Sequence, residues 1–173
     1  MDLKTLFADK SIKPKDRTTR LSEMVADKTT SLGDLIVFAK IAKDPVKATC
    51  IESLEFASKV NPSIMTSEAM DFVLDSLAEK APRIKWESAK VTGNAIHLFQ
   101  DKIDLAVTKL LDNATDTGTV VRWSAAFALS QILKLKTEIN ESLAPAIKNI
   151  LNNEEKNSIK KIYLDGLKKS GIK

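Results

Sequence analysis

The chain is short of reactive residues: it holds one cysteine, Cys50, and one histidine, His97, in 173 residues. One thiol excludes an internal disulfide and fits a reducing compartment. One histidine and one cysteine fall below the three or four ligands that a zinc site takes. The two also stand at different phases of the pattern described below, so no Cys–His couple is expected. Glycine and proline number five each. The glycines are isolated, which excludes a phosphate-cradling loop, and so few breakers favour long helices over a turn-rich β-protein. The apolar run at 35–39, as long as any in the chain, is far too short to span a bilayer. The segment Met1-Asp2-Leu3-Lys4-Thr5-Leu6-Phe7 lacks a signal-peptide core. These absences point to a cytoplasmic protein without metal, cofactor or membrane partner.

What is present is a globular composition, 43% apolar and 29% charged, in one domain spanning 1–173. The net charge of +4 is unevenly spread. Residues 1–28 carry seven bases against five acids, residues 150–173 six against three, and residues 29–149 fourteen against fifteen. The excess therefore sits at the two ends. Nucleic-acid binders cluster their bases on one face, so specific nucleic-acid binding is not expected.

A motif returns every 37 or 38 residues: Val46-Lys47-Ala48, Ile84-Lys85-Trp86, Val121-Arg122-Trp123 and Ile159-Lys160-Lys161. Each copy is a β-branched residue followed by a base. A period of this size marks a stacked helical array. Helix signals fit it. A short helix is predicted over 2–9, then pairs at 14–28 with 31–43, 45–60 with 66–80, 83–98 with 101–113 and 119–136 with 140–152, and a last helix over 156–170. Ser31 with Asp34 forms a capping pattern. Pro45 and Pro82 open helices, Thr66 or Ser67 caps 66–80, Asp101 caps 101–113, and Asn140 or Ser142 caps the helix whose first turn holds Pro145. Gly171 closes the last helix. Val121, Ala125, Leu129 and Ile132 share one face, and nothing alternates with period two, so no sheet is expected.

The stretch Val121-Arg122-Trp123-Ser124-Ala125-Ala126-Phe127-Ala128-Leu129 resembles the first helix of a HEAT-like repeat, and Asp44-Pro45-Val46-Lys47 resembles its acidic-apolar-basic entry. Pro82-Arg83 departs from that pattern, as do Asn157-Ser158 and Lys161. The resemblance covers about residues 14–170. It implies an all-α fold, a right-handed α-solenoid of about four stacked helix pairs with capping helices. The repeat units would be about 14–43, 45–80, 83–113 and 119–152, with a terminal helix at 156–170. It also implies that second helices line the concave side, and a binding or scaffolding role. A lone helix pair cannot bury its apolar face, and stacking on neighbours does so.

Two groups of residues are candidates for a partner surface. Trp86 and Trp123 occupy equivalent places 37 residues apart, at the edge of the apolar face. Tryptophan is favoured in interaction hot spots, and packing against the adjacent unit is the simpler reading. Glu68, Asp71, Asp75 and Glu79 fall at spacings of three, four and four, which puts four acids on one helix face. Lys40 and Lys43 before them, and Lys102 and Lys109 after, are candidate counter-charges. The polar loop at 112–119 does not match a calcium loop, which needs a fixed ladder of acids ending in Glu. The leading functional reading is a non-enzymatic protein-interaction or scaffold module with a protein partner. The runner-up resembles the HEAT-like alkylpurine DNA glycosylases, which use tryptophans, an acid and bases on a concave face. Trp86, Trp123, Arg83 and Arg122 keep it open, and the acidic stripe opposes it. A third class resembles the HEAT-like bilin lyases, and no residue singles it out.

Overall fold

The computed structural model describes residues 2–172. Ten α-helices are present among them and no strand: α1 (Leu3–Ala8), α2 (Pro14–Ala26), α3 (Leu32–Ile41), α4 (Asp44–Val60), α5 (Ser67–Ser76), α6 (Pro82–Ala95), α7 (Ile103–Asn113), α8 (Thr119–Leu133), α9 (Asn140–Asn153) and α10 (Asn157–Ser170). Local chemistry sets most of the ends. Ser31 Oγ accepts from the Asp34 amide at 3.0 Å and donates to the Asp34 carboxylate. Thr66 accepts from the Ala69 amide. Pro14, Pro45 and Pro82 open α2, α4 and α6, where a missing amide hydrogen costs nothing. Gly171 ends α10 at φ +83°, a conformation that glycine adopts without strain.

Two predicted helix starts differ. Asp101 does not cap α7: a 3-10 turn, Gln100–Lys102, runs straight into that helix, and Lys102 at the cap position has helical backbone angles. A side-chain cap needs an extended residue there. Neither Asn140 nor Ser142 caps α9. Asn140 donates instead to the Leu133 carbonyl and Ser142 to the Ile139 carbonyl. Because α9 already begins at Asn140, Pro145 stands in its second turn. Pro145 and Glu141 are both exposed, so the carbonyl left without a donor faces water.

The helices form two layers. In one, α2, α4, α6, α8 and α10 pack side by side, each on the next. In the other, α3, α5, α7 and α9 lie over them, more widely spaced. Small residues explain the difference. A Cβ on Gly93 of α6 would sit 3.1 Å from the Ala128 Cα of α8, and one on Gly166 of α10 would sit 3.1 Å from the Ser130 Cα. A side chain at either place would force the neighbouring helix to give way, and glycine leaves the approach free. In the other layer, long side chains bridge the gap: Lys102 to Asp71 and Lys109 to Asp75. The more closely packed layer, with α4, α6 and α8 at its centre, is termed the inner layer. Backbone approach is also closer between α5 and α6, and between α7 and α8, than between α4 and α5 or α6 and α7.

The motif's apolar residues Ile84, Val121 and Ile159 are buried, with Leu129, Ala125 and Ile132 in the same core. The motif's base has a separate task. Lys47 pairs with Glu79, Lys85 with Asp116 at 2.7 Å, and Arg122 with Glu154 at 2.9 Å. Each acid stands five residues ahead of the next copy's apolar residue. Each of these three bases thus latches the turn that opens the following copy. Arg122 also donates to the Asp116 and Thr117 carbonyls. Arg17 of α2 holds the first turn in the same manner, through the Leu6, Asp9 and Ile12 carbonyls.

Leu129→Ala is expected to destabilise by about 2–5 kcal/mol through lost burial and a residual cavity. An unchanged unfolding midpoint would show that α8 does not pack on that face. Arg122→Ala is expected to cost about 1.5–3 kcal/mol at neutral pH, the range for hydrogen bonds to charged groups. The Arg122 hydrogen bond holds the Glu154 carboxyl below its ordinary value, so the latch's contribution is present above the unfolded value of about 4.3 and fades as pH falls through the folded one. Denaturant titrations of parent and variant should therefore converge in acid. A gap that stays constant to pH 3 would remove the latch from the account.

Candidate interaction surface

The four acids do not lie on one helix. Glu68, Asp71 and Asp75 project from α5, while α5 ends at Ser76 and leaves Glu79 in the turn before α6. Three of the four are engaged by lysines: Asp71 by Lys102, Asp75 by Lys109 and Glu79 by Lys47. Lys102 and Lys109 were the expected counter-charges; Lys47 acts in place of Lys40 and Lys43. The side chains of Asp71 and Asp75 are 55% and 79% exposed, and pairs of that kind add little to stability. Glu68 sits exposed in the first turn of α5, where a carboxylate favours the helix dipole.

Trp86 and Trp123 lie on the other layer, on α6 and α8, so the acidic row and the tryptophans are not brought together. Their environments differ. Trp86 is half-buried, and its indole N–H donates to Glu87 Oε1 at 2.7 Å. Trp123 is 40% exposed. It stacks on Phe127 with ring centroids 6.3 Å apart and planes 6° apart. The Phe127 ring in turn fills the space beside Gly93. Phe127, Gly93, Asn94, His97, Gln131 and Lys134 line a shallow groove of about 320 Å³ between α6 and α8.

Beside this groove is a charged cluster that the sequence reading missed. Lys90 lies 3.0 Å from Glu87 and 3.4 Å from Glu55, Arg83 lies 2.7 Å from Glu52, and Thr18 donates to Glu52. Glu55 and Glu87 are buried. Burial pushes the Glu87 carboxyl above its ordinary value, against the pull of Lys90 and Trp86. Burial works to lower Lys90, but the hydrogen bond and charge of Glu87, with Glu55, outweigh it and hold the ammonium above the usual lysine value. The available signal was the acids at 52, 55 and 87 and the base at 90, charges set among apolar residues of the α4 and α6 stretches, where solvated charges have no place.

Cys50 is fully buried, and burial pushes its thiol up to about 12, so it supplies no thiolate near neutral pH. His97 is exposed, in a 3-10 turn after α6. Among the described residues no cluster of His, Cys, Asp and Glu could hold a metal ion, and no helix is long and apolar enough to cross a membrane. In the 112–119 loop, Asp116 accepts from the Gly118 amide as well as from Lys85.

The unequal exposure of the two indoles can be measured. Trp86→Phe leaves only Trp123, whose emission is expected to be readily quenched by iodide; Trp123→Phe leaves Trp86, expected to be the better protected. Equal quenching constants would contradict this placement.

No protein-family model matches the chain, and no curated protein matches it. Solved structures do. A designed armadillo repeat protein in complex with peptide (KR)4 aligns with a TM-score of 0.76 at 15% identity, over 96% of this chain and 79% of that one. A computationally designed armadillo repeat protein for modular peptide recognition gives 0.73 at 14%, over 95% and 79%. The complex of CpcE and CpcF of phycocyanin lyase from Nostoc sp. PCC7120 gives 0.71 at 18%, over 94% and 96%. The fold is that of an armadillo- and HEAT-like α-solenoid.

Proposed function

We propose that this protein is a non-enzymatic interaction module, one stacked domain over 1–173, that docks a segment of a protein partner on the inner face of α6 and α8. The Trp123–Phe127 pair carries this reading: two large rings, stacked and partly exposed, beside a groove with the polar groups of Asn94 and Gln131 on its walls. Aromatic anchors of this kind dominate interface energies. Gly93 and Gly166 let its helices pack close together, and a closely packed surface has little freedom to lose on binding. The two armadillo designs are described as a peptide complex and as made for peptide recognition; the same use of this face fits an extended peptide segment. In this reading Trp86 borders the site. Asp71, Asp75 and Glu79 serve chiefly to tie helices together, with Glu68 free to meet solvent or a partner's rim.

Capture of a partner from native lysate, followed by association kinetics, tests the proposal. Trp123→Ala with Phe127→Ala is expected to weaken binding by more than about tenfold, the scale of a lost hot spot, with circular dichroism unchanged. Asp71→Lys with Asp75→Lys is expected to alter rate and salt dependence slightly. The reverse ranking would move the docking site to α5 and α7. A duplex-DNA complex that survives physiological salt would instead favour the glycosylase-like reading, since contacts made by the end lysines alone dissolve as salt rises.

A further inference from the structure

The repeat register allows position-by-position comparison of α4, α6, α8 and α10. Ile51, Ala89, Ala126 and Leu164 are equivalent, spaced 38, 37 and 38 residues apart. The first three are 0%, 1% and 0% exposed, sealed against the following helix, and Leu164 is 54% exposed. The outer side of α10 is thus a packing face that no described residue covers. With Leu151, Leu167 and Ile172, Leu164 floors a groove of about 500 Å³ between α9 and α10.

Charge says what fits there. Lys160 is the fourth copy of the latch base, after Lys47, Lys85 and Arg122, and among the described residues no carboxylate meets it. Lys168, at the groove's rim, is equivalent to Glu55, Gly93 and Ser130. In α4 that position already works as a charged contact, Glu55 meeting Lys90 of the next helix. Lys168 presents the opposite sign at the same place. Of the three acids in 150–173, Glu154 is bound by Arg122 and Asp165 by Lys134 and Lys169.

We propose that this end of the stack docks an acidic amphipathic helix of a second protein. One carboxylate of that helix takes the latch position on Lys160, apolar side chains cover Leu164, and another carboxylate meets Lys168. The internal junction supplies the spacing: Glu79, in the turn ahead of α6, precedes Ile84 by five residues and Lys90 by eleven, so the partner carries an acid in the turn that opens its helix, an apolar residue about five positions on and a second acid about eleven on. A second copy of this chain is a poor occupant, since both of its ends carry excess positive charge and would repel. This surface is separate from the α6–α8 groove, so either site can fail alone.

The probe is a labelled synthetic helical peptide with glutamates at positions 1 and 12 and leucine or isoleucine on the face between them, compared with the same peptide carrying lysines at 1 and 12. Fluorescence anisotropy with the full chain should show the acidic peptide binding at least about tenfold more tightly than the lysine form. Lys160→Glu with Lys168→Glu should reverse that preference, a result that also shows the variant is folded. Trp123→Ala should leave it unchanged. The proposal is overturned if the charge-swapped chain keeps the parent's preference, or if Trp123→Ala abolishes binding. It is also overturned if sedimentation shows the parent self-associating in a manner that Leu164→Glu removes, which would make a second copy the occupant.

Discussion

Each helix pair in this chain has an apolar stripe that it cannot cover itself, and burial by the next pair is the constraint on which the structure depends. Leu54 of α4, Ala89 and Val91 of α6, and Ala125 and Leu129 of α8 are all buried in the stack. Non-directional burial of this kind supplies most of the stabilisation, but it does not fix how far one helix slides along another. The latches do that. Lys47, Lys85 and Arg122 each bind an acid in the turn ahead of the next copy, so every copy is positioned by the one before it. Arg122 and Glu154 are the most enclosed of these pairs, with side chains 19% and 3% exposed. Removing one partner there leaves the other charge enclosed, a heavier loss than at an exposed pair.

The same constraint shapes the surface. Tight spacing on the inner layer needs small residues at the crossing points, and Gly93 and Gly166 provide them. The vacancy beside Gly93 is filled by the Phe127 ring, which in turn supports Trp123. A packing requirement between α6 and α8 therefore produces the partly exposed aromatic pair proposed as the docking face. On the outer layer the helices stand farther apart and charged side chains cross the gap, which is why the acids of α5 are largely engaged with lysines.

Much of the fold was legible in the sequence because the period of 37 or 38 residues exposes the unit directly, and because Ser31, Pro45, Thr66, Pro82 and Gly171 mark helix ends by local chemistry. Asp101 and Pro145 were misplaced because a 3-10 turn and an early helix start depend on how neighbouring segments meet, which local chemistry does not encode. The candidate site was legible in part. Trp86 and Trp123 are equivalent in sequence, yet Glu87 holds the first and Phe127 the second, a distinction made by side chains and not by phase. The acidic row looked continuous because helical spacing was extended past Ser76, where α5 ends. The latch was half visible: the base repeats beside the motif, but its acid lies in the turns, as Glu, Asp and Glu. Recognising it requires aligning those turns with the copy that follows. The Glu52, Glu55, Glu87 and Lys90 cluster was hidden because its members sit in two repeats and become neighbours only when α4 and α6 stack.

The central functional claim is that a partner meets the inner face at Trp123 and Phe127. The indole N–H resonances of Trp86 and Trp123, assigned with the single Trp→Phe variants and followed by NMR as a captured partner is added, test it directly. Docking on this face should shift or broaden the Trp123 signal strongly and move the Trp86 signal less, since Glu87 already holds that N–H. Saturable partner binding with the Trp123 resonance unmoved would contradict the claim.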